Sequence, residues 1–256
     1  MWQYHSRSDL HSKVACWGTL FDLLNQSAVL REHAREGRVI FGVNFEMRDF
    51  VTGRKKKLDL VIARPAGEAS TRAKNLTELA SAWSVELNGS QRDRLEFLPE
   101  LREGVVGATL VALEAKAAMT AHTKARPRLY DELNSSHLTV HGASRQALAV
   151  GFVMVNFAES FVSPGLQTGA ETVKSRHQQP RDAAGVIDKV REIPRRVGPT
   201  GSGYDGLAIV GVDCANDGRP VRILTNPPAP QPGDIYDYST MVTRVANEYD
   251  TTFRGI

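Results

Sequence analysis

Apolar residues return at intervals of three and four over the first organised stretch. Leu10, Val14, Trp17, Phe21 and Leu24 have the spacing of one helical face. Ser8 or Asp9 stands where a cap is expected. A broken, polar stretch follows as far as Gly37. Arg38 to Met47 and Lys57 to Ala63 then read as two strands, and Thr52-Gly53-Arg54-Lys55 between them makes the pair a hairpin. From Gly67 to Gly107 the pattern is weaker. Leu76, Leu79, Trp83 and Leu87 predict one helix, and Leu95 to Leu101 a shorter segment.

Thr109 to Lys116 is a strong apolar strand, followed by a helix from about Lys124 to Leu133 with Pro127 near its start. Gln146 to Phe157 is almost continuously apolar, as expected of a strand covered on both faces. Ser163 to Gln179 turns to Gly, Ser, Gln and Pro, which predicts a mobile loop, and Gly198 to Gly203 predicts another. Between them Asp182 to Ile193 is amphipathic. Leu207 to Val212 and Val221 to Leu224 form a second hairpin around Asp217-Gly218. Pro227 to Pro232 leads into a last helix, about Tyr238 to Phe253. No repeat and no sharp break in composition divides the chain. The pattern predicts one α/β domain over residues 1–256, with its clearest elements in 10–157 and an unassigned portion in 158–256.

Composition narrows this only slightly. Apolar residues are 41% and charged residues 24% of the 256, ordinary for a folded domain and wrong for a disordered or fibrous chain. No apolar run approaches the roughly 18 residues of a membrane span. The polar start, Met1-Trp2-Gln3-Tyr4-His5, lacks an apolar export signal, so a cytoplasmic location is expected. Cys16 and Cys214 are then expected as reduced thiols, too few for a zinc site. A net charge of +3 and a pI near 8.9 permit a polyanionic partner without requiring one.

The informative feature is the end of the strand Thr109–Lys116. Alternation puts Leu110, Ala112, Glu114 and Lys116 on one face. A carboxylate and an ammonium therefore project together from an apolar strand, where burying either alone is costly. Asp59, between Leu58 and Leu60, is equally out of character in its strand. Two carboxylates from neighbouring strands repel, and a hard divalent cation relieves that repulsion. The bland reading is an ordinary surface ion pair contributing about 0–1 kcal/mol.

Asp59 followed by Glu114-Ala115-Lys116 resembles the Asp…Glu-x-Lys signature of the PD-(D/E)XK nuclease superfamily, which includes many type II restriction endonucleases and defence nucleases. The order of elements agrees over Leu10 to Phe157. Leu58 stands where a proline often precedes the aspartate, and the 54 residues between Asp59 and Glu114 imply an insertion that loops out. The resemblance implies a restriction-endonuclease-like core, a central mixed β-sheet flanked by helices. It implies a Mg²⁺-dependent DNA endonuclease, with Mn²⁺ able to substitute. Asp59, Glu114 and the Ala115 carbonyl would hold the metal. Lys116 would hold or deprotonate the attacking water.

Double-stranded DNA is the implied partner, and a homodimer is the default for cutting both strands. Arg54, Lys55, Lys56 and Lys57 form a basic run at a hairpin tip, suited to a phosphate backbone or simply to water. His122, Lys124, Arg126 and Arg128 enter the helix that would flank the scissile phosphate. Lys174, Arg176, His177, Arg181, Lys189, Arg191, Arg195 and Arg196 make a further basic stretch. Glu46 is either an extra metal-site carboxylate or an exposed strand residue. Alternatives remain open: a defence nuclease switched on by a cyclic nucleotide, a non-catalytic nucleic-acid-binding protein with a nuclease-like core, and a phage or plasmid structural protein.

Overall fold

A computed structural model describes residues 3–67, 73–164, 172–198 and 200–256. Two helices open the chain, α1 (Leu10–Gln26) and α2 (Ala28–Arg35). The second lies where a broken polar stretch was expected. Ser27 caps it by accepting from Leu30 N–H at 2.9 Å, and a narrow face of Val29, Leu30, His33 and Ala34 is buried. At the start of α1, Asp9 occupies the cap position without capping. Its carboxylate instead pairs with Lys13 at 2.9 Å.

The hairpin β1 (Ile40–Arg48) and β2 (Lys55–Pro65) follows, then α3 (Leu76–Ala82), α4 (Gly89–Phe97) and β3 (Val106–Ala118). The single helix expected through Leu87 stops at Ala82. Ser84 adopts φ 53°, a left-handed conformation that ends a helix, and two capping boxes, Asn75/Glu78 and Asn88/Gln91, start separate ones. The described residues of this insertion pack back on the core. Leu76 and Leu79 are buried, and Trp17 Nε1 donates to the Leu76 carbonyl at 2.8 Å.

The long α5 (His122–Ala143) leads to β4 (Leu148–Asn156). The helix runs past Leu133 because Ser136, His137 and Val140 continue its buried stripe. The hydroxyls of Ser136 and Thr139 bond back to carbonyls four residues earlier, so polar residues sit on an interior face at little cost. A small antiparallel ribbon, β5 (Ser160–Ser163) with β6 (Val173–Arg176), occupies part of the expected loop, the rest of which includes 165–171, outside the described residues. Then come α6 (Arg181–Arg191), β7 (Gly206–Asp213), β8 (Arg222–Leu224) and α7 (Tyr238–Thr252). Of the second expected loop, residue 199 is not described.

The sheet has six strands in the order β1-β2-β3-β4-β7-β8. β3, β4 and β7 are parallel and the outer pairings antiparallel, so this is a mixed α/β sheet. One face packs on α1, α2, α3 and α7, the other on α5 and α6. Burial of β4 on both faces explains its unbroken apolar run. β7 and β8 extend the same sheet, since β7 pairs with β4, and α7 packs on α1.

Alternation breaks between β2 and β3, where the register shifts around Ala63, and again in the hairpin. The ladder passes from Val43↔Leu60 to Phe45↔Leu58 and skips the pair Asn44 and Asp59. Asn44 has φ 54°, a strained value for a residue with a side chain. On one side of it Val43 and Leu60 pack towards α1; on the other, Phe45 and Leu58 pack towards α5. Asp59 lies at this switch.

Candidate active site

Pairing between β2 and β3 ends at Leu60↔Leu113. Beyond that point Asp59 reaches across the parting strands, its Oδ2 accepting from the Ala115 N–H at 2.8 Å. A cleft of about 400 Å³ opens here, lined by Asp59, Ala115 and Lys116, by Lys124 and Arg128 of α5, and by His11 and Tyr4 from the N-terminal segment. That segment is tied down at a distance. Tyr4 and the Asn216 side chain exchange two hydrogen bonds of 2.9 and 3.0 Å.

Glu114 lies behind the cleft wall and is only 2% exposed. Its Oε1 is 2.7 Å from Lys116 Nζ, while its Oε2 has no hydrogen-bond partner. Burial raises its pKa, Lys116 opposes the rise, and Asp59 adds to it. Lys116 also meets Glu132 of α5 at 3.4 Å. Burial works against its ammonium, but Glu114 and Glu132 outweigh that, and its pKa lies above the ordinary lysine value. With a side chain 23% exposed, Lys116 is not the rim ammonium that a strand-end position implies. Removing it would strand a buried carboxylate, which makes the surface-pair magnitude the wrong one.

The basic run divides. Lys56 turns inward, 3.9 Å from Glu114 Oε1, and donates to the Glu132 carbonyl at 3.0 Å. Burial lowers its pKa, with Glu114 pulling the other way. Lys55 turns outward to an exposed ion pair with Glu46 at 2.7 Å, so Glu46 is a surface strand residue remote from the cleft. Lys57 is exposed, and Arg54 lines a different cavity with Asp49 and Leu138.

Two residues expected to face DNA point elsewhere. His122 is a core histidine, its ring nitrogens 2.8 Å from the Thr120 and Asn156 carbonyls. Arg126 packs its guanidinium against Gly185 of α6, so closely that a Cβ there would lie 2.1 Å from Nη2. Lys56, expected at a hairpin tip facing phosphate, sits beside Glu114 instead, and Glu132 and His11 are the site residues that sequence reasoning missed. For Glu132 a signal exists, because Lys124, Arg128 and Glu132 recur at the four-residue spacing of a helix face.

Among the described residues no group of three or more His, Cys, Asp or Glu is placed to hold a metal ion. The donors at hand are the carboxylates of Asp59 and Glu114. A hard cation such as Mg²⁺ asks the protein for one or two carboxylates, the rest coming from water and phosphate oxygens. A buried carboxylate with one oxygen lacking a partner fits that demand. No helix among the described residues is long and apolar enough to cross a membrane. No family model, curated protein or solved structure matches the chain.

Proposed function

We propose that the protein is a metal-dependent endonuclease that hydrolyses DNA phosphodiester bonds, of type II restriction or related bacterial defence type, on a restriction-endonuclease-like core. The observation that carries this reading is the convergence of Asp59 from β2 with Glu114 and Lys116 from β3 where the two strands part, beside a cleft walled by Lys124 and Arg128. Asp59, Glu114 and the Ala115 carbonyl would hold Mg²⁺ or Mn²⁺. When bound, the ion polarises the phosphoryl oxygen and lowers the pKa of a bound water.

The side chains supply the rest. Lys116, kept protonated by its two glutamates, acts as a charged hydrogen-bond donor to the attacking water and to the phosphate, where negative charge grows in the transition state. Glu132 and Lys56 position Lys116 and Glu114. Lys124 and Arg128, both exposed on the cleft wall, would take the flanking phosphates.

A non-catalytic DNA-binding protein is the competing reading, and the pairing of Lys116 with both Glu114 and Glu132 favours it. One experiment separates them. Supercoiled and linear DNA are incubated with the protein in Mg²⁺ or EDTA, with and without cyclic oligonucleotides, and Mn²⁺ affinity is titrated by calorimetry. Cutting that needs the metal is expected, with Mn²⁺ binding lost in Asp59→Asn and Glu114→Gln. Binding of DNA without cutting in any arm would decide for the non-catalytic reading.

A further inference from the structure

A second cavity, of about 430 Å³, opens where β4 and β7 begin, the end of the parallel strands opposite the cleft. Lys116 is in register with Val153, five residues beyond Leu148, which lines this second cavity. At about 3.3 Å per residue the two sites lie roughly 17 Å apart along the strand.

Three arginines converge here from separate elements: Arg145 after α5, Arg196 before β7 and Arg244 on α7. Arg196 is built into the wall. It is 7% exposed, its Nη1 is 3.4 Å from Asp205 Oδ1, and its Nη2 donates to the Arg145 carbonyl at 2.6 Å. Asp205 is committed to the scaffold, because its other oxygen accepts from the Ala149 N–H at 2.7 Å.

Arg145 and Arg244 are exposed. Among the described residues no carboxylate comes within ion-pair distance of either; Glu248 shares the wall without reaching them. Arg244 makes one long bond, 3.5 Å, to the Arg196 carbonyl. A fourth guanidinium, Arg195 over the Tyr236 ring, feels burial first and then the charge of Arg244, both of which lower its pKa. With Asp205 already spent on Arg196 and the Ala149 N–H, the remaining guanidiniums repel, and a bound anion removes that repulsion. The planar fork of arginine suits phosphate oxygens, two bonds at a time.

We propose that this cavity binds a ligand carrying two or more phosphate groups, held by Arg145 and Arg244 against the buried Arg196, at a site separate from the cleft. The phosphates would belong either to a free nucleoside polyphosphate or to the backbone of a nucleic acid.

The test is calorimetric titration of the full-length protein with inorganic pyrophosphate in EDTA, which removes any metal-bridged binding in the cleft. Saturable binding is expected, weakened about tenfold or more in the double variant Arg145→Gln/Arg244→Gln, since two charge-assisted hydrogen-bonding groups are removed. Lys116→Ala should bind as the wild type does. Both variants are checked for native circular dichroism. Displacement by a nucleoside triphosphate but not by a short duplex assigns the phosphates to a free nucleotide, and displacement by duplex assigns them to the backbone; either outcome supports the site. Absence of saturable binding, an unchanged affinity in the double variant, or loss of binding in Lys116→Ala instead would overturn it. None of these outcomes depends on whether the cleft cuts DNA.

Discussion

Two buried carboxylates, Glu114 at one end of the parallel strands and Asp205 at the other, meet cations in different ways. Asp205 is bonded on both oxygens, to the Ala149 N–H and to Arg196, with His141 Nε2 3.7 Å away. Both oxygens of Asp205 are spent on the scaffold. Glu114 has Lys116 at 2.7 Å and Lys56 at 3.9 Å on one oxygen and no partner on the other, and the partner lysine faces a cleft. A buried charge whose bonding is complete holds a fold together. One whose bonding is incomplete beside a cavity is placed for something that is not part of the chain.

The sharpest way to break this contrast is Lys116→Ala. Cleavage is expected to fall by about 10²–10³-fold, the scale of losing one donor to a developing oxyanion. The same change strands the Glu114 carboxylate, so a stability loss of about 3 kcal/mol should accompany it. The double variant Lys116→Ala/Glu114→Gln should recover most of that stability in urea melts and still not cut. Near wild-type cutting by either folded variant removes the catalytic role.

Neutralising the two carboxylates compares them directly. Asp205→Asn leaves Arg196 buried without its counter-charge and should cost about 3 kcal/mol. Glu114→Gln keeps the shape, leaves Lys116 the Glu132 carboxylate and Lys56 the Glu132 backbone carbonyl, and should stay within about 1 kcal/mol of the wild type. Equal losses in chemical denaturation would erase the distinction between the two sites.

A titration separates the two ends further. His137, beside Tyr204 and His141 on the Asp205 side, is buried, and burial together with the His141 charge pushes its pKa down to about 4. Its unfolded value is near 6.5. A histidine held neutral in the fold contributes stability that is complete above the unfolded value and is lost as pH falls from about 6.5 towards 4. The loss amounts to on the order of 3 kcal/mol. His137→Gln should therefore flatten the fall in melting temperature over that window. An unchanged slope would mean that His137 is protonated within the folded protein.

The smallest effect concerns the basic side chains. Lys124→Gln/Arg128→Gln should reduce the slope of log affinity for DNA against log salt by up to about 0.9 for each phosphate no longer neutralised. Arg128 is paired with Glu132 at 3.0 Å but on the cleft wall, so Lys55→Gln/Lys57→Gln, at the tip away from the cleft, should change the slope less. Fluorescence anisotropy across a salt series, with Ca²⁺ in place of Mg²⁺, reads both. A larger effect from the hairpin pair would move the DNA path to the tip.

Local pattern was enough for most elements. Helices α1, α6 and α7 announce themselves by spacing, and the two hairpins by alternation and their turns. The double-sided burial of β4 was legible as an unbroken apolar run. Asp59, Glu114 and Lys116 stood out because charges in apolar strands are expensive, which any window of the chain reveals. The second half of α5 was not legible, since polar residues on its buried face satisfy themselves within the helix, and α2 is too short, with four buried residues among eight, to show a helical stripe. The break between α3 and α4 rests on Ser84, a residue whose type does not announce a left-handed backbone.

By itself, then, the chain determined which residues are out of place and which segments are helix or strand, because propensity and periodicity act over a few neighbouring positions. Only the tertiary structure decided what those residues meet. Lys56 faces Glu114 while Lys55 faces water because the strand pleat sends neighbours to opposite sides. Arg126 lies against Gly185 and Arg128 in the cleft because α5 packs on α6. The N-terminal segment reaches the cleft because Asn216, 212 residues away, ties down Tyr4. Such contacts join positions far apart in the chain, and no local pattern carries them.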